Sequence, residues 1–345
     1  MTRGFVRNLS SSIFLFGIPL GVLGTSVNAY HFQQLLAVEH DLALGLRWYG
    51  WVSLALVSAI YLFGWLRHYE NQLIEWKDSA KRSFIAAIML TLLLFWLSLI
   101  EAQVLSSQSE LALNLLLMLV VLQFILNIYL LSGWLFNDQL DIKALQPSWF
   151  IMLSGNFTAS ILLSIKTPAQ LLWLQELAYL FYAIGCFGWL IIATLLFYRL
   201  LFYPRFDANI RPSLFIFLAP ISLAAIASLF INHEPQASTQ LDETSLNVIS
   251  WIGLSFASLF LVLWLIQLRQ FIVCGISMAS WAYVYPLAAF GLLLQYMAQI
   301  YESLWLTVLS GLILISLLVL ISLLTVWLIK SSWADFYASD QSANR

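Results

Sequence analysis

Ten long, apolar and almost uncharged stretches constrain this chain more than any other feature. A helix needs about 20 apolar residues to cross the hydrocarbon core of a bilayer. The stretches cover residues 12–34, 45–66, 83–101, 111–136, 148–165, 170–198, 212–232, 245–268, 272–300 and 303–329. In lipid, backbone polar groups must bond within the protein, and consecutive apolar segments achieve this as helices. We therefore predict an all-α polytopic membrane protein with ten transmembrane helices.

The composition agrees with a membrane protein and argues against soluble domains. Hydrophobic residues make up 62% of the 345 residues and charged residues 9%, whereas soluble domains have about 45–50% and about 25%. So few charges cannot cover the surface of a soluble globule of this size. The loops between the stretches are too short for a soluble domain. We therefore predict one transmembrane domain over residues 1–345, with its core at about 12–330.

The distribution of basic residues predicts the orientation. With the N-terminus inside, thirteen of the 15 Lys and Arg residues fall on the cytoplasmic side, and Arg47 and Lys166 are the exceptions. Cytoplasmic loops of membrane proteins carry such an excess of positive charge. We therefore expect a multi-pass protein of the cell (inner) membrane with both termini in the cytoplasm.

The first stretch has a second interpretation. Arg3 and Arg7 followed by an apolar segment imitate a signal peptide, whose cleavage would leave nine spans in the same orientation. Pro19 in the middle of the segment, and the apolar character that continues after it, favour a retained first helix.

Several function classes lack support in the sequence. The net charge of −2 argues against a nucleic-acid partner, which would require a basic face. Cys186 and Cys274 lie in apolar runs and are typical of packing residues. The four histidines show no metal-ligand spacing; they are His31, His40, His68 and His233. We therefore expect no metal, no cofactor and no enzymatic activity.

Three prolines lie within spans, and all three spans are odd-numbered: Pro19 in the first, Pro220 in the seventh and Pro286 in the ninth. Proline lacks a backbone donor, so the carbonyl four residues earlier loses its normal partner. An unpaired carbonyl is costly in lipid unless it faces protein or a wet cavity. One interpretation is that kinked odd helices line a central water-filled path. The other is that transmembrane helices simply tolerate proline.

The polar residues within spans favour a passive pathway. Glu176 is the charged residue that we place inside a span, and it lies about five residues from the outer end, where it can reach the headgroups. A proton-coupled carrier requires a buried acid or histidine near the midplane. No such residue is found there, which favours a channel.

Four short strings, in order along the chain, resemble the tellurite-resistance/dicarboxylate transporter family (the TehA-like and slow anion channel family). They are Phe16–Gly21, Pro147–Trp149 with Asn156–Ser160, Leu218–Pro220 with Ile231–His233, and Trp281–Pro286. The resemblance runs from about Ile13 to Lys330. It implies five helical hairpins around a central pore, with the odd helices inside and kinked by Pro19, Pro220 and Pro286. It also implies a homotrimer in which every protomer has its own anion pore.

The resemblance further implies an aromatic gate in the pore. Tyr285 stands where the family carries a phenylalanine, directly before the ninth-helix proline. A phenol still blocks the pore, and its hydroxyl can donate a hydrogen bond to an anion. The alternative is that Tyr285 packs between helices with its hydroxyl bonded to a neighbour. Further pore-lining candidates come from the same strings: Phe16, Asn156, Phe157 and Tyr283.

Two functions follow from the resemblance. The first is an anion channel that passes small inorganic anions, with the lipid bilayer as its surroundings. The alternative is a secondary transporter or exporter of C4-dicarboxylates, tellurite or sulfite. A channel gives unitary currents that follow the anion gradient, whereas a carrier saturates and exchanges.

Overall fold

The computed structural model describes residues 13–343 except 40, 68, 79–80, 139, 167–171, 209 and 232–242. Within these ranges the chain contains no strand and forms ten long α-helices. They are α1 (Gly17–Leu35), α2 (Asp41–Arg67), α3 (Ile85–Glu101), α4 (Glu110–Leu135), α5 (Phe150–Lys166), α6 (Leu172–Phe202), α7 (Leu218–Ile231), α8 (Glu243–Ile266), α9 (Val284–Ile300) and α10 (Leu304–Ala343). Two short helices, Tyr69–Lys77 and Leu268–Ile272, lie between them.

Each predicted span corresponds to one of these helices. Nine helical segments of the described chain are long and apolar enough to cross a membrane. The remaining predicted span, 272–300, contains the short α9, preceded by a 3-10 helix, Met278–Tyr283. Tyr285, Pro286 and Gln295 make α9 less apolar than the others. The prediction of an all-α polytopic membrane protein is confirmed.

The odd-numbered helices form a closed ring. In the order α1, α3, α5, α7, α9 and back to α1, each packs against the next, and each also packs against the even-numbered helix that follows it in the chain. The most apolar part of each span is 56–89% buried in α1, α3, α5 and α7, but only 28–39% in the even-numbered helices. The odd-numbered helices are therefore the inner helices of five hairpins.

The even-numbered helices cover the ring and carry a large apolar outer surface. Leu66 of α2 is 85% exposed and Phe187 of α6 is 70% exposed. Such exposure would be unfavourable in water, but it costs nothing against lipid tails or a neighbouring apolar subunit. The outside of the bundle therefore has the chemistry of a membrane-embedded surface.

Every inner helix begins with a 3-10 segment. These segments are Ile13–Phe16, Arg82–Phe84, Pro147–Trp149, Arg211–Phe217 and Met278–Tyr283. Pro19, Pro220 and Pro286 are each the third residue of the α-helix that follows. In a 3-10 segment a carbonyl accepts from the residue three positions later, so it does not need the missing proline donor. The prolines therefore lie where 3-10 geometry changes to α, near the helix starts.

Candidate functional site

The five inner helices surround a cavity of about 620 Å³. Its lining residues come from all five: Gly17 and Leu20 of α1, Ala87 and Leu90 of α3, Ile151 and Ser154 of α5, Ala219 of α7, and Tyr285 and Pro286 of α9. The cavity opens where the inner helices begin, beside Asp78, Lys81 and Ser277. We call this opening the mouth. The walls are mostly apolar, and the cavity extends from the mouth as far as Tyr285.

Tyr285 lines the cavity and is itself buried. The residue is 6% exposed, and its ring lies against Gly24 of α1, where an added Cβ would come within 2.7 Å of the ring atom Cδ2. Only a residue without a side chain leaves room for the ring in this position. Gly21 of α1 packs against Val284 in the same way: a Cβ added at Gly21 would lie 2.9 Å from the Cβ of Val284. The close approach of α1 and α9 therefore determines where the ring lies.

The hydroxyl of Tyr285 is buried without a hydrogen-bond partner among the described residues, and so is the hydroxyl of Thr158 on α5. The two groups are near enough to interact but do not reach hydrogen-bond geometry. A buried hydroxyl without a partner costs about 1–3 kcal/mol. The alternative role of Tyr285, as a packing residue with its hydroxyl bonded to a neighbour, therefore lacks that bond in this structure.

The phenylalanines among the predicted pore-lining residues contact neighbouring helices. Phe16 packs edge-on against Tyr61 of α2, with ring centroids 5.5 Å apart. Phe157 is 1% exposed; it packs edge-on against Tyr182 of α6 at 5.9 Å. Neither is among the residues that line the cavity.

The polar pore-lining candidates also have partners outside the cavity lining. The Oδ1 atom of Asn156 accepts a hydrogen bond of 2.6 Å from Nδ2 of Asn127, so this pair joins α5 to α4. Tyr283 packs edge-on against Phe215 at 4.8 Å. Of the predicted site residues, the structure brings Tyr285 and Pro286 to the cavity, while Pro19 and Pro220 lie beside its lining residues Leu20 and Ala219.

An ion pair at the mouth is formed by two residues that we did not predict as site residues from the sequence. Nζ of Lys81 lies 3.5 Å from Oε1 of Glu75, whose side chain is 13% exposed. Burial raises the pKa of the Glu75 carboxyl, and the nearby Lys81 charge partly opposes this shift. The positive charge at the mouth is therefore partly neutralised by a carboxylate that takes up a proton more readily than an exposed one.

A second ion pair lies at the opposite end of the ring. Nη2 of Arg47 is 2.8 Å from Oε2 of Glu101, and the side chains are 3% and 6% exposed. We predicted both residues near the outer membrane boundary and no buried charge other than Glu176. The expected absence of other buried charges is wrong for both residues: α2 begins at Asp41 and includes Arg47, α3 ends at Glu101, and both side chains are buried. Glu176 itself is exposed near the start of α6, as expected for an interfacial acid.

Within the described part of the chain, no group of three or more His, Cys, Asp or Glu side chains could hold a metal ion. Comparison with protein families gives one match. The model of the family described as voltage-dependent anion channel (SLAC1) matches residues 11–329. No curated protein matches the chain.

Proposed function

The chain belongs to the voltage-dependent anion channel family, and from this membership we propose that it passes small inorganic anions through a pore along the axis of its own inner ring. The observation that carries the proposal is the cavity, which all five inner helices line and whose lining includes Tyr285. Tyr285 is the gate of this pore, and its ring blocks the pathway in the closed state.

The preference for anions follows from the direction of the inner helices. All five begin at the mouth, so the partly positive N-terminal ends of five helices surround the cavity. Such ends stabilise anions in transporters that lack a charged site in the membrane. Lys81 adds a positive charge at the entrance, which Glu75 partly neutralises. Together they attract anions without selecting one of them.

A closed gate of this kind needs no charge. An aromatic constriction that is too narrow for a hydrated anion excludes water and ion together. The Tyr285 ring is held by Gly24 on one side and by the helix start at Pro286 on the other. The hydroxyls of Tyr285 and Thr158 then serve as uncharged donors to an anion that passes the opened gate.

We place the mouth on the cytoplasmic side of the cell membrane, because Lys77, Lys81, Arg205 and Arg211 belong to the loops at that end. The apolar surface of the even-numbered helices faces lipid and, in a homotrimer, the neighbouring protomers. Each protomer contains a complete inner ring, so the pathway does not require residues from another copy.

Planar-bilayer recordings of the purified protein test the function and the gate. Tyr285→Ala removes the ring and should raise the anion conductance at least about fivefold, since the cavity then continues past the constriction. Tyr285→Phe keeps the block and removes the hydroxyl, so its conductance should be below that of the wild type. The control is Tyr182→Ala, which removes an aromatic side chain of α6 that packs against Phe157.

Unitary currents that reverse with the anion gradient support a channel, whereas saturating, exchange-dependent flux would indicate the carrier of dicarboxylate, tellurite or sulfite. A Tyr285→Ala protein that folds normally and conducts like the wild type would show that Tyr285 is not the gate.

A further inference from the structure

Four side chains at the far ends of the inner helices share one position relative to the cavity. Each follows a cavity-lining residue by eleven positions: His31 follows Leu20, Glu101 follows Leu90, Phe230 follows Ala219 and Tyr296 follows Tyr285. Eleven residues of α-helix make three turns and about 20° more, a rise of about 16 Å. These four residues, which we call the distal belt, therefore lie on the helix faces that line the cavity, three turns further from the mouth.

The distal belt is connected by side-chain contacts. The hydroxyl of Tyr296 is 3.4 Å from Nε2 of His31, and their rings are 5.3 Å apart. Phe230 packs edge-on against Tyr296, also at 5.3 Å. Nε2 of His31 is 3.5 Å from Oε1 of Glu101. The contacts run without interruption from α7 through α9 and α1 to α3. On α5, the equivalent position is the exposed Ile165.

Arg47 of the outer helix α2 holds the belt in place. Its guanidinium group lies 2.8 Å from the Glu101 carboxylate and 4.5 Å above the ring of Tyr30, which precedes His31. Buried charges are tolerated when they are paired, and breaking such a pair is strongly destabilising. The Glu101 carboxylate is thus fixed, and because its ion pair with Arg47 carries no net charge, it does not repel a passing anion.

We propose that the distal belt is a second constriction of the pathway, in series with Tyr285. This inference rests on the proposed function in one respect, namely that anions move along the axis of the inner ring. Two aromatic rings and an imidazole from three adjacent inner helices form a steric barrier that narrows the pathway at this level. Movement of the Tyr296 side chain opens it. Along this pathway, Ala289 lies between the two constrictions and is buried.

Anion flux into proteoliposomes gives the first test. Tyr296→Ala alone should leave the flux near the wild-type level, because Tyr285 is the larger of the two barriers in series and remains in place. Combined with Tyr285→Ala, it should raise the flux at least about threefold above Tyr285→Ala alone. The control is Tyr301→Ala. Tyr301 directly follows the end of α9, and its ring lies against Trp251 of α8. A double variant that folds normally and matches Tyr285→Ala would overturn the second constriction.

Thiol accessibility gives a test that does not depend on conduction. Ala289→Cys is introduced after Cys186→Ala and Cys274→Ala, which replace the free cysteines of the described chain. Ala289 is one turn beyond Tyr285, on the same face of α9, and is 4% exposed. With both constrictions intact, an anionic methanethiosulfonate reagent should modify the introduced thiol slowly in purified protein. Tyr296→Ala should accelerate this reaction at least about tenfold, and Tyr301→Ala should not.

The outcomes separate the two proposals. Accelerated labelling in Tyr296→Ala, together with a flux of the double variant no higher than that of Tyr296→Ala alone, would refute the gate and leave the distal constriction standing. Rapid labelling with Tyr296 intact, or labelling that Tyr296→Ala does not change, would refute the distal constriction whatever the conductance.

Discussion

At the scale of single residues, Glu75 links the mouth to pH. It lies near Lys81 and Asp78, and burial raises the pKa of its carboxyl above the ordinary value for glutamate. A proton therefore binds at a higher pH than it would at an exposed glutamate, and it removes the negative charge beside Lys81. We expect the anion conductance to rise as the pH on the mouth side falls towards and through this raised pKa.

Glu75→Gln imitates the protonated carboxyl. Bilayer recordings should show a higher conductance at neutral pH and a loss of the response to acid. Glu70→Gln changes an exposed residue of the same short helix and should keep the wild-type pH profile. An unaltered pH response in Glu75→Gln would assign the titration to another group.

The candidate residues illustrate what a sequence string can predict about a site. Tyr285 and Pro286 were taken from such a string and line the cavity. Phe16, Phe157 and Tyr283 came from the same kind of string and contact other helices. Consecutive helical residues point in directions about 100° apart, so a string identifies the helix but not the face. The ion pair of Arg47 and Glu101 joins segments 54 positions apart, which no local pattern reveals.

At the scale of elements, the 3-10 helix starts were only partly predictable. The prolines indicated the odd-numbered helices α1, α7 and α9, but α3 and α5 begin with 3-10 segments without a proline at the third α-helical position. Proline is therefore compatible with this geometry but does not create it. What the five helix starts have in common is their position around one cavity, which only the assembled ring contains.

The contact between α1 and α9 provides an element-scale prediction. A Cβ at Gly24 would lie 2.7 Å from Cδ2 of Tyr285, so either the ring or the helix must move. A shift of the ring costs less than separating two packed helices, and overpacking typically costs about 1–3 kcal/mol. Gly24→Ala should therefore raise the basal anion conductance at least about twofold and lower the thermal midpoint.

The matched control for this substitution is Gly45→Ala on α2, where an added Cβ meets nothing within 4 Å. It should change neither the conductance nor the thermal midpoint. If Gly24→Ala behaves like this control in both measurements, Gly24 does not determine the position of the Tyr285 ring.

At the scale of the whole molecule, the spans followed from apolar length because lipid leaves few alternatives to helices. The order of the inner helices around the ring could not be predicted from the length of the apolar stretches, since it depends on which helix faces pack together. The structure also accounts for Arg47, an exception in the charge distribution. Its charge is neutralised by Glu101. A basic residue at the end of the bundle opposite the mouth therefore leaves no unpaired positive charge there.

The orientation of the whole bundle leads to the last prediction. Two exposed loops at opposite ends serve as reporters: Ser107 lies between α3 and α4, and Ala208 lies between α6 and α7, close to Arg205 and Arg211. Positively charged loops are retained in the cytoplasm. In intact cells, a membrane-impermeant maleimide should therefore modify Ser107→Cys but not Ala208→Cys, each in the background of Cys186→Ala and Cys274→Ala. Lysed cells, in which both thiols should react, provide the control for accessibility.

Modification of both thiols in intact cells would contradict the hairpin arrangement. Modification of Ala208→Cys alone would keep the hairpins but place the mouth, with Lys81 and the five helix N-termini, on the outer side of the membrane, so that anions would be attracted from there.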